Sequence, residues 1–168
     1  MSFCQYCIQG IRHEGEPEGT LETIGGVACY ITTPIVDYAK GKAILFLPDA
    51  FGIELINSKL LADEFAKNGF KALTHAHVHS QDKTFNFRGW LATHGTEVTL
   101  LPLNKIIAAL IEECVTRFGA IGYCFGGRYT FDLAFDKVIQ CAVVTHSSLL
   151  EVPKDLEVTP ILLTGFPH

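Results

Sequence analysis

The sequence lacks the long apolar segments of a membrane protein. Its longest apolar runs, such as residues 43–47 and 106–111, are far shorter than the roughly 20 residues that a membrane-spanning helix needs. The N-terminus also lacks the basic segment and the apolar segment that make up a secretory signal. We therefore expect no membrane partner, and we expect the protein to be cytoplasmic.

Basic clusters are absent as well. The chain has 13 Lys and Arg residues against 18 Asp and Glu residues, which gives a net charge of −5. This excess of negative charge argues against nucleic acid and anionic membranes as partners. No internal repeat or low-complexity segment is present. Because 48% of the 168 residues are hydrophobic, we expect residues 1–168 to form a single domain with a sizeable core.

The six cysteines do not point to a disulfide framework, since the chain has no secretory signal. Cys29, Cys114 and Cys141 lie in apolar surroundings and are predicted to be core residues. Cys4 and Cys7 form a C-x-x-C pair in a tail, without the further ligands that a zinc site requires. We interpret them as surface thiols and expect neither a metal nor another cofactor. A redox role for this pair remains an alternative.

The remaining pattern alternates short apolar strands with amphipathic helices. An acidic turn and the hairpin Gly25–Gly26 suggest two antiparallel edge strands at the N-terminus. Trp90 and Leu91 are expected to anchor an irregular stretch between residues 75 and 95. The predicted strands are 21–24, 27–32, 42–47, 70–74, 117–121, 139–144 and 159–164, and the predicted helices are 54–68, 103–114 and 128–135. This order predicts an α/β fold with a mostly parallel sheet and helices on both faces.

The segment Gly122–Gly127, GYCFGG, stands between a predicted strand and a predicted helix. A reactive side chain flanked by glycines on such a turn is typical of a nucleophile elbow, in which strand and helix approach closely. Cys124 is the candidate nucleophile. The helix N-terminus favours its thiolate, and the N–H of Phe125 can donate to a developing oxyanion. The alternative is a small buried cysteine in a glycine-rich turn, but the strand before and the helix after favour the catalytic interpretation.

Two groups of histidines follow predicted strands. His75, His77 and His79 alternate along an extended segment, which is one way to build a metal face. No carboxylate or cysteine supports that interpretation, so we expect a solvated loop without metal. His146 follows the strand 139–144, on the edge where α/β sheets bind ligands. It is either a polar residue of the site or a cap of the strand, and the sequence leaves both open.

Several of these motifs together resemble the dienelactone hydrolases, a branch of the α/β-hydrolase fold that uses a cysteine nucleophile. The resemblance rests on GYCFGG, on PDAFG after an earlier strand and on LLADEFAKNGF in the helix between them. The N-terminal pattern from Cys4 to Gly19 and the segment 144–150, VTHSSLL, are similar to the fungal-type members in particular. The similarity extends from about residue 4 to residue 164.

The resemblance implies an enzyme that hydrolyses a small ester or lactone of the dienelactone type through a Cys-His-Asp triad. Cys124 matches the nucleophile, while the N–H of Phe125 and the backbone near Ala50 or Phe51 match the oxyanion-hole donors. Asp49 occupies the place of a carboxylate that contacts the resting cysteine in bacterial members. We expect His146 to contribute to substrate binding. The oligomeric state stays open.

The sequence departs from the family pattern at two places. No Asp follows the predicted strand 159–164, and no later His matches the triad base, because the chain ends at His168. At Thr74–His75, relatives tend to have Pro-Asp. These departures suggest a shortened member that lacks the C-terminal elements of the fold. The alternative function is therefore an inactive homologue that binds a small molecule or a protein.

Overall fold

The computed structural model describes residues 12–49, 52–75, 87–151 and 153–157. In chain order the strands and helices are β1 (Thr20–Ile24), β2 (Val27–Thr32), β3 (Lys42–Leu47), α1 (Ile56–Lys67), β4 (Lys71–His75), α2 (Phe87–Thr93), α3 (Thr96–Glu112), β5 (Arg117–Tyr123), α4 (Phe125–Phe135), β6 (Cys141–Thr145) and α5 (Lys154–Glu157), with a 3-10 turn at Gly52–Glu54. The predicted strand 159–164 lies outside the described residues. Within the described part of the chain, no helix combines the length and the apolarity needed to span a bilayer.

The strands form one mixed sheet in the order β1-β2-β4-β3-β5-β6. The pairs β3–β4, β3–β5 and β5–β6 are parallel, whereas β1–β2 and β2–β4 are antiparallel. The predicted α/β class and the hairpin turn are confirmed, and Gly25 and Gly26 both have positive φ. The prediction that β2 is an edge strand is wrong. It pairs with β4 as well as with β1, and this pairing buries its residues 29–32.

Helices cover both faces of the sheet. On one face α3 packs against β1 and β2, and α4 packs against β3, β5 and β6. The core that these elements share includes Leu45, Leu47, Ile106, Leu110 and Phe125. On the other face α1 packs against β2 and β4 around Tyr30, Ala62 and Ala72. Each large apolar side chain buried in this way contributes roughly 1.5–3 kcal/mol, so the central strands are firmly fixed. The carboxyl ends of β3 and β5 are therefore a rigid platform for the turns that follow them.

The helical content between β4 and β5 is larger than the sequence indicated. Residues 87–93 of the supposedly irregular stretch form α2, and α3 begins at Thr96 rather than at residue 103. Pro102 lies inside α3. A proline inside a helix costs about 3 kcal/mol, but the burial of the next three turns outweighs that cost. The predicted anchor Trp90 packs edge to face on Phe125 with ring centroids 5.1 Å apart.

Two of the three cysteines predicted to be core residues are exposed. Cys114 lies beyond the end of α3 with a φ of 68°, and Cys141 begins the strand β6 on its outward face. Cys29, by contrast, is fully buried. The apolar sequence around a cysteine did not distinguish a strand interior from a helix end. Cys4 and Cys7 lie outside the described residues.

We expect Cys29 to resist alkylation in the folded protein. Burial raises the pKa of its thiol from 9.0 to about 11, so about one part in a thousand is thiolate at about pH 8. The folded pKa lies above the unfolded one, so between these two values the thiol ionises in the unfolded chain and stays protonated in the folded one. The free energy of unfolding therefore falls as the pH rises from 9.0 to about 11. Iodoacetamide labelling followed by peptide mass mapping checks this. The exposed Cys114 and Cys141 should be modified well before Cys29, and equal labelling of Cys29 would contradict the burial.

Candidate functional site

The turn between β5 and α4 has the backbone of a nucleophile elbow. Cys124, the single residue between strand and helix, has φ 47° and ψ −109°. A residue other than glycine in this region stores roughly 1–3 kcal/mol of strain and persists only where its surroundings hold it. Here the Cys124 N–H donates to the Thr145 carbonyl at 3.2 Å, and the N–H groups of Gly127 and Ser148 donate to the Cys124 carbonyl at 3.2 and 3.0 Å. The predicted strand, sharp turn and helix are confirmed.

The glycines around Cys124 are required by close contacts. A Cβ on Gly122 would lie 2.2 Å from Oγ1 of Thr130, and a Cβ on Gly126 would lie 2.1 Å from the Leu47 carbonyl oxygen. A Cβ on Gly127 would lie 2.5 Å from Oγ of Ser147. The Gly126 N–H also donates to the Pro48 carbonyl at 3.1 Å. These contacts bring the end of β3 and the end of β6 against the same turn.

Cys124 is a partly accessible residue. The residue is half-buried, and its Sγ lies 3.9 Å from Oγ of Ser148. It stands at the N-terminus of α4, an 11-residue helix whose dipole favours a negative charge at that position. Cys124 is thus neither fully buried nor far from a helix terminus, as a nucleophile at this position requires.

The residues predicted to form an oxyanion hole are only partly described. Phe125 begins α4, and its fully buried ring packs edge to face between Trp90 and Tyr129, with centroids 5.1 and 4.9 Å away. This packing fixes the first turn of α4 and with it the direction of the Phe125 N–H. Ala50 and Phe51 lie outside the described residues. The donor role of each of these groups stays a prediction.

Asp49 follows β3 and faces a cavity of about 660 Å³ that also reaches Tyr123, the residue before Cys124. The cavity is strongly acidic. Among the described residues that line it, Lys67 carries a positive charge, while the carboxylates are those of Glu14, Glu16, Glu18, Asp49, Asp63 and Glu64. Lys67 pairs with Glu18 at 3.0 Å and with Glu64 at 2.9 Å. The lining therefore has a negative net charge.

The segment before β1, which lines this cavity, is joined to β2 and α1 by a partly buried chain of hydrogen bonds. The Gly19 N–H donates to the Tyr30 hydroxyl at 2.6 Å, and that hydroxyl donates to Oδ1 of Asp63 at 2.6 Å. The Glu18 N–H donates to Oδ2 of the same carboxylate at 2.9 Å. Burial and the Asp63 carboxylate together raise the pKa of Tyr30, so its hydroxyl stays protonated. The carboxylate of Asp63 thus serves to hold the segment that precedes β1.

The histidines lie in different environments. His146 is exposed directly after β6, with a φ of 52°, beside the residues 145, 147 and 148 that contact the elbow. His75 is 2% exposed at the end of β4, and burial lowers its pKa to about 4. The expectation of a solvated loop is therefore wrong for His75, while His77 and His79 lie outside the described residues. The described residues contain no group of three or more potential metal ligands.

Two features near the elbow were not found from the sequence. Ser147 and Ser148 contact residues of the elbow. They lie there because β5 and β6 pair in parallel with Tyr123 opposite Thr145, and this register is the feature from which they could have been found. Arg128, in the first turns of α4, pairs with Asp132 at 2.5 Å and also with the buried Asp155. This network binds the segment after β6 to the elbow helix.

The sheet order and the elbow define the chain as an α/β protein of the α/β-hydrolase type. Its residues 27–163 match the sequence profile of the dienelactone hydrolase family. The chain therefore belongs to the dienelactone hydrolase family, as the sequence motifs suggested.

Among its curated relatives is the hydrolase pyvD of Aspergillus violaceofuscus, which is 33% identical over 91% of this chain and 64% of its own length. Dienlactone hydrolase 1 of Gibberella moniliformis is 30% identical over 86% of this chain and 60% of its own length. The chain thus spans less than two thirds of either relative. A crystal structure of a Klebsiella pneumoniae protein proposed to be a dienelactone hydrolase superposes with a TM-score of 0.66 at 15% identity, covering 83% of this chain and 65% of that one. It supports the fold.

Proposed function

We propose that this chain belongs to a hydrolase of small esters or lactones in which Cys124 is the nucleophile. The observation that carries this proposal is the conformation of Cys124, whose strained backbone is held through both its N–H and its carbonyl at the junction of β5 and α4. A strained backbone that several hydrogen bonds maintain costs free energy, and presentation of the sulfur of this half-buried residue to a substrate offers a reason for that cost.

The proposed reaction begins with attack of the Cys124 thiolate on the carbonyl carbon. The carbon–sulfur bond forms as the carbonyl π electrons move onto oxygen, and the Phe125 N–H is placed to donate to that oxyanion. Backbone near Ala50 and Phe51 is proposed as the second donor. Collapse of the intermediate breaks the carbon–oxygen bond and expels the alcohol oxygen, which takes up a proton from the solvent. A water molecule then attacks the thioester, releases the acid and returns the thiol.

The cavity beside Asp49 is the proposed place for the part of the substrate next to the scissile bond. It lies along the carboxyl ends of β3 and β5, the edge at which open α/β sheets bind ligands. His146, exposed on the same edge, is proposed to contact the substrate from the side of β6. The acidic lining makes a neutral ester or lactone a better substrate than one with a carboxylate.

Hydrolysis of two p-nitrophenyl esters tests both parts of this proposal. We expect the neutral acetate to be hydrolysed faster than buffer alone, and at low salt about fivefold or more faster than the negatively charged hemisuccinate. The difference should narrow at about 0.5 M salt, because exposed charges are then screened. Hydrolysis of neither ester above the buffer rate would contradict the function. Equal rates for the two esters would contradict only the charge preference.

The alternative function, a binding module without catalysis, gains no support from the comparisons. The curated relatives described above are named as hydrolases, and Cys124 is half-buried rather than fully buried, which is compatible with the proposed nucleophile. A small-molecule ester or lactone is accordingly the partner that we propose.

A further inference from the structure

The last residue of β6 and the loop that follows it contact Cys124 through three groups. The Thr145 carbonyl accepts the Cys124 N–H at 3.2 Å, and the Ser148 N–H donates to the Cys124 carbonyl at 3.0 Å. The third contact is between side chains, with the Sγ of Cys124 3.9 Å from the Oγ of Ser148. One short segment therefore holds both the backbone of the strained residue and its sulfur.

The backbone contact determines where the Ser148 hydroxyl can lie. Because the Ser148 N–H is bonded to the carbonyl of Cys124, the Cα of Ser148 stays close to the elbow, and its short side chain has few positions to choose from. A hydroxyl both donates and accepts hydrogen bonds. It can accept from the S–H of the thiol, and after a rotation about its C–O bond it can donate to the thiolate.

We propose that Ser148 is a positioning residue that directs the Cys124 sulfur and stabilises its thiolate by a hydrogen bond. This inference rests on the proposed function of Cys124 as nucleophile. No proton passes through Ser148 in the proposed step. The hydroxyl keeps its own proton and turns it toward the sulfur when the thiol is ionised, and a hydrogen bond to the charged form favours that form.

Ser147 provides a matched control in the adjacent position. Its side chain packs against Gly127 of α4, and its Oγ donates to the Ser148 carbonyl at 3.4 Å. Ser147→Ala removes a hydroxyl from the same loop and leaves the Ser148–Cys124 contact in place. Any general loosening of the loop should therefore be seen in both alanine variants, whereas loss of the sulfur contact should be seen only at residue 148.

The test is the rate of iodoacetamide modification of Cys124 against pH, followed by peptide mass mapping in the full chain. For Ser148→Ala we expect the rate at neutral pH to fall about tenfold and the midpoint of the pH profile to move to higher pH. Ser147→Ala should retain the parent profile. A parent-like profile for Ser148→Ala, or an equal change in Ser147→Ala, would overturn the proposal.

A second pair of variants keeps the test valid where Ser148→Ala folds poorly. Ser148→Thr and Ser148→Val have nearly the same shape and differ in the hydroxyl, so the Thr variant should react faster and at lower pH than the Val variant. Equal profiles for the two would also overturn the proposal. Alkylation does not require ester hydrolysis. An inactive esterase with a Ser148-dependent profile would therefore contradict the proposed function and leave this role of Ser148 standing.

Discussion

Replacing Cys124 by alanine is expected to lower kcat/KM for p-nitrophenyl acetate by at least about a thousandfold, to the rate of a protein without a nucleophile. The residue supplies the atom that bonds to the acyl carbon, and no neighbouring group takes that place when the sulfur is removed. Ser148, the hydroxyl next to it, points at the sulfur from the loop after β6 and is not on the turn itself. Steady-state hydrolysis of the ester measures the effect.

Cys141→Ala is the matched control for this experiment. Cys141 is an exposed cysteine on β6, so its thiol is accessible to the ester. Unlike Cys124, it does not lie at a helix N-terminus. The control should keep the parent rate. Hydrolysis by Cys124→Ala as fast as by the parent would show that the nucleophile is elsewhere.

Replacing Gly126 by alanine is expected to destabilise the protein by about 3 kcal/mol or more and to abolish hydrolysis. The new Cβ would lie 2.1 Å from the Leu47 carbonyl oxygen and 2.6 Å from that of Pro48. Both are backbone atoms at the end of a central strand, so relief requires α4 to move away from β3. That movement would also break the hydrogen bond from the Gly126 N–H to Pro48.

Gly95→Ala serves as the control, because a Cβ on Gly95 meets nothing within 4 Å and the residue precedes the exposed start of α3. It should change the free energy of unfolding by less than about 1 kcal/mol. Urea unfolding of the two variants and the parent gives both values. A Gly126→Ala variant as stable as the parent would mean that strand and helix are not in the close contact described here.

The sequence predicts those parts of the site that are formed by residues consecutive in the chain. A buried apolar strand, two spaced glycines and an amphipathic run suffice to place Cys124 on a turn, because strand, turn and helix are consecutive in the chain. The same holds for β3 and α1. The family motifs added Asp49 and the backbone donors near Ala50 or Phe51, which no pattern in the residues themselves had indicated.

The contacts that complete the site depend on sheet order, and the sequence did not reveal them. Ser148 lies beside Cys124 because β6 is parallel to β5 in one particular register, and β2 is an inner strand because it pairs with β4. Helix α2 and the start of α3 were missed for a different reason. Their periodicity is weak, and α3 continues through Pro102, a residue that is unfavourable inside a helix. His75 was assigned to a loop because its burial comes from neighbouring strands.

The most direct measurement locates the acyl group that p-nitrophenyl acetate transfers to the protein. The chain is mixed with the ester, quenched in acid within the first turnover, digested and mapped by mass spectrometry. We expect acetyl on the peptide that contains Cys124, with hydroxylamine releasing it as it does a thioester. Acetyl found on another residue, while the Cys124 peptide remains unmodified, would contradict the assignment of Cys124 as nucleophile.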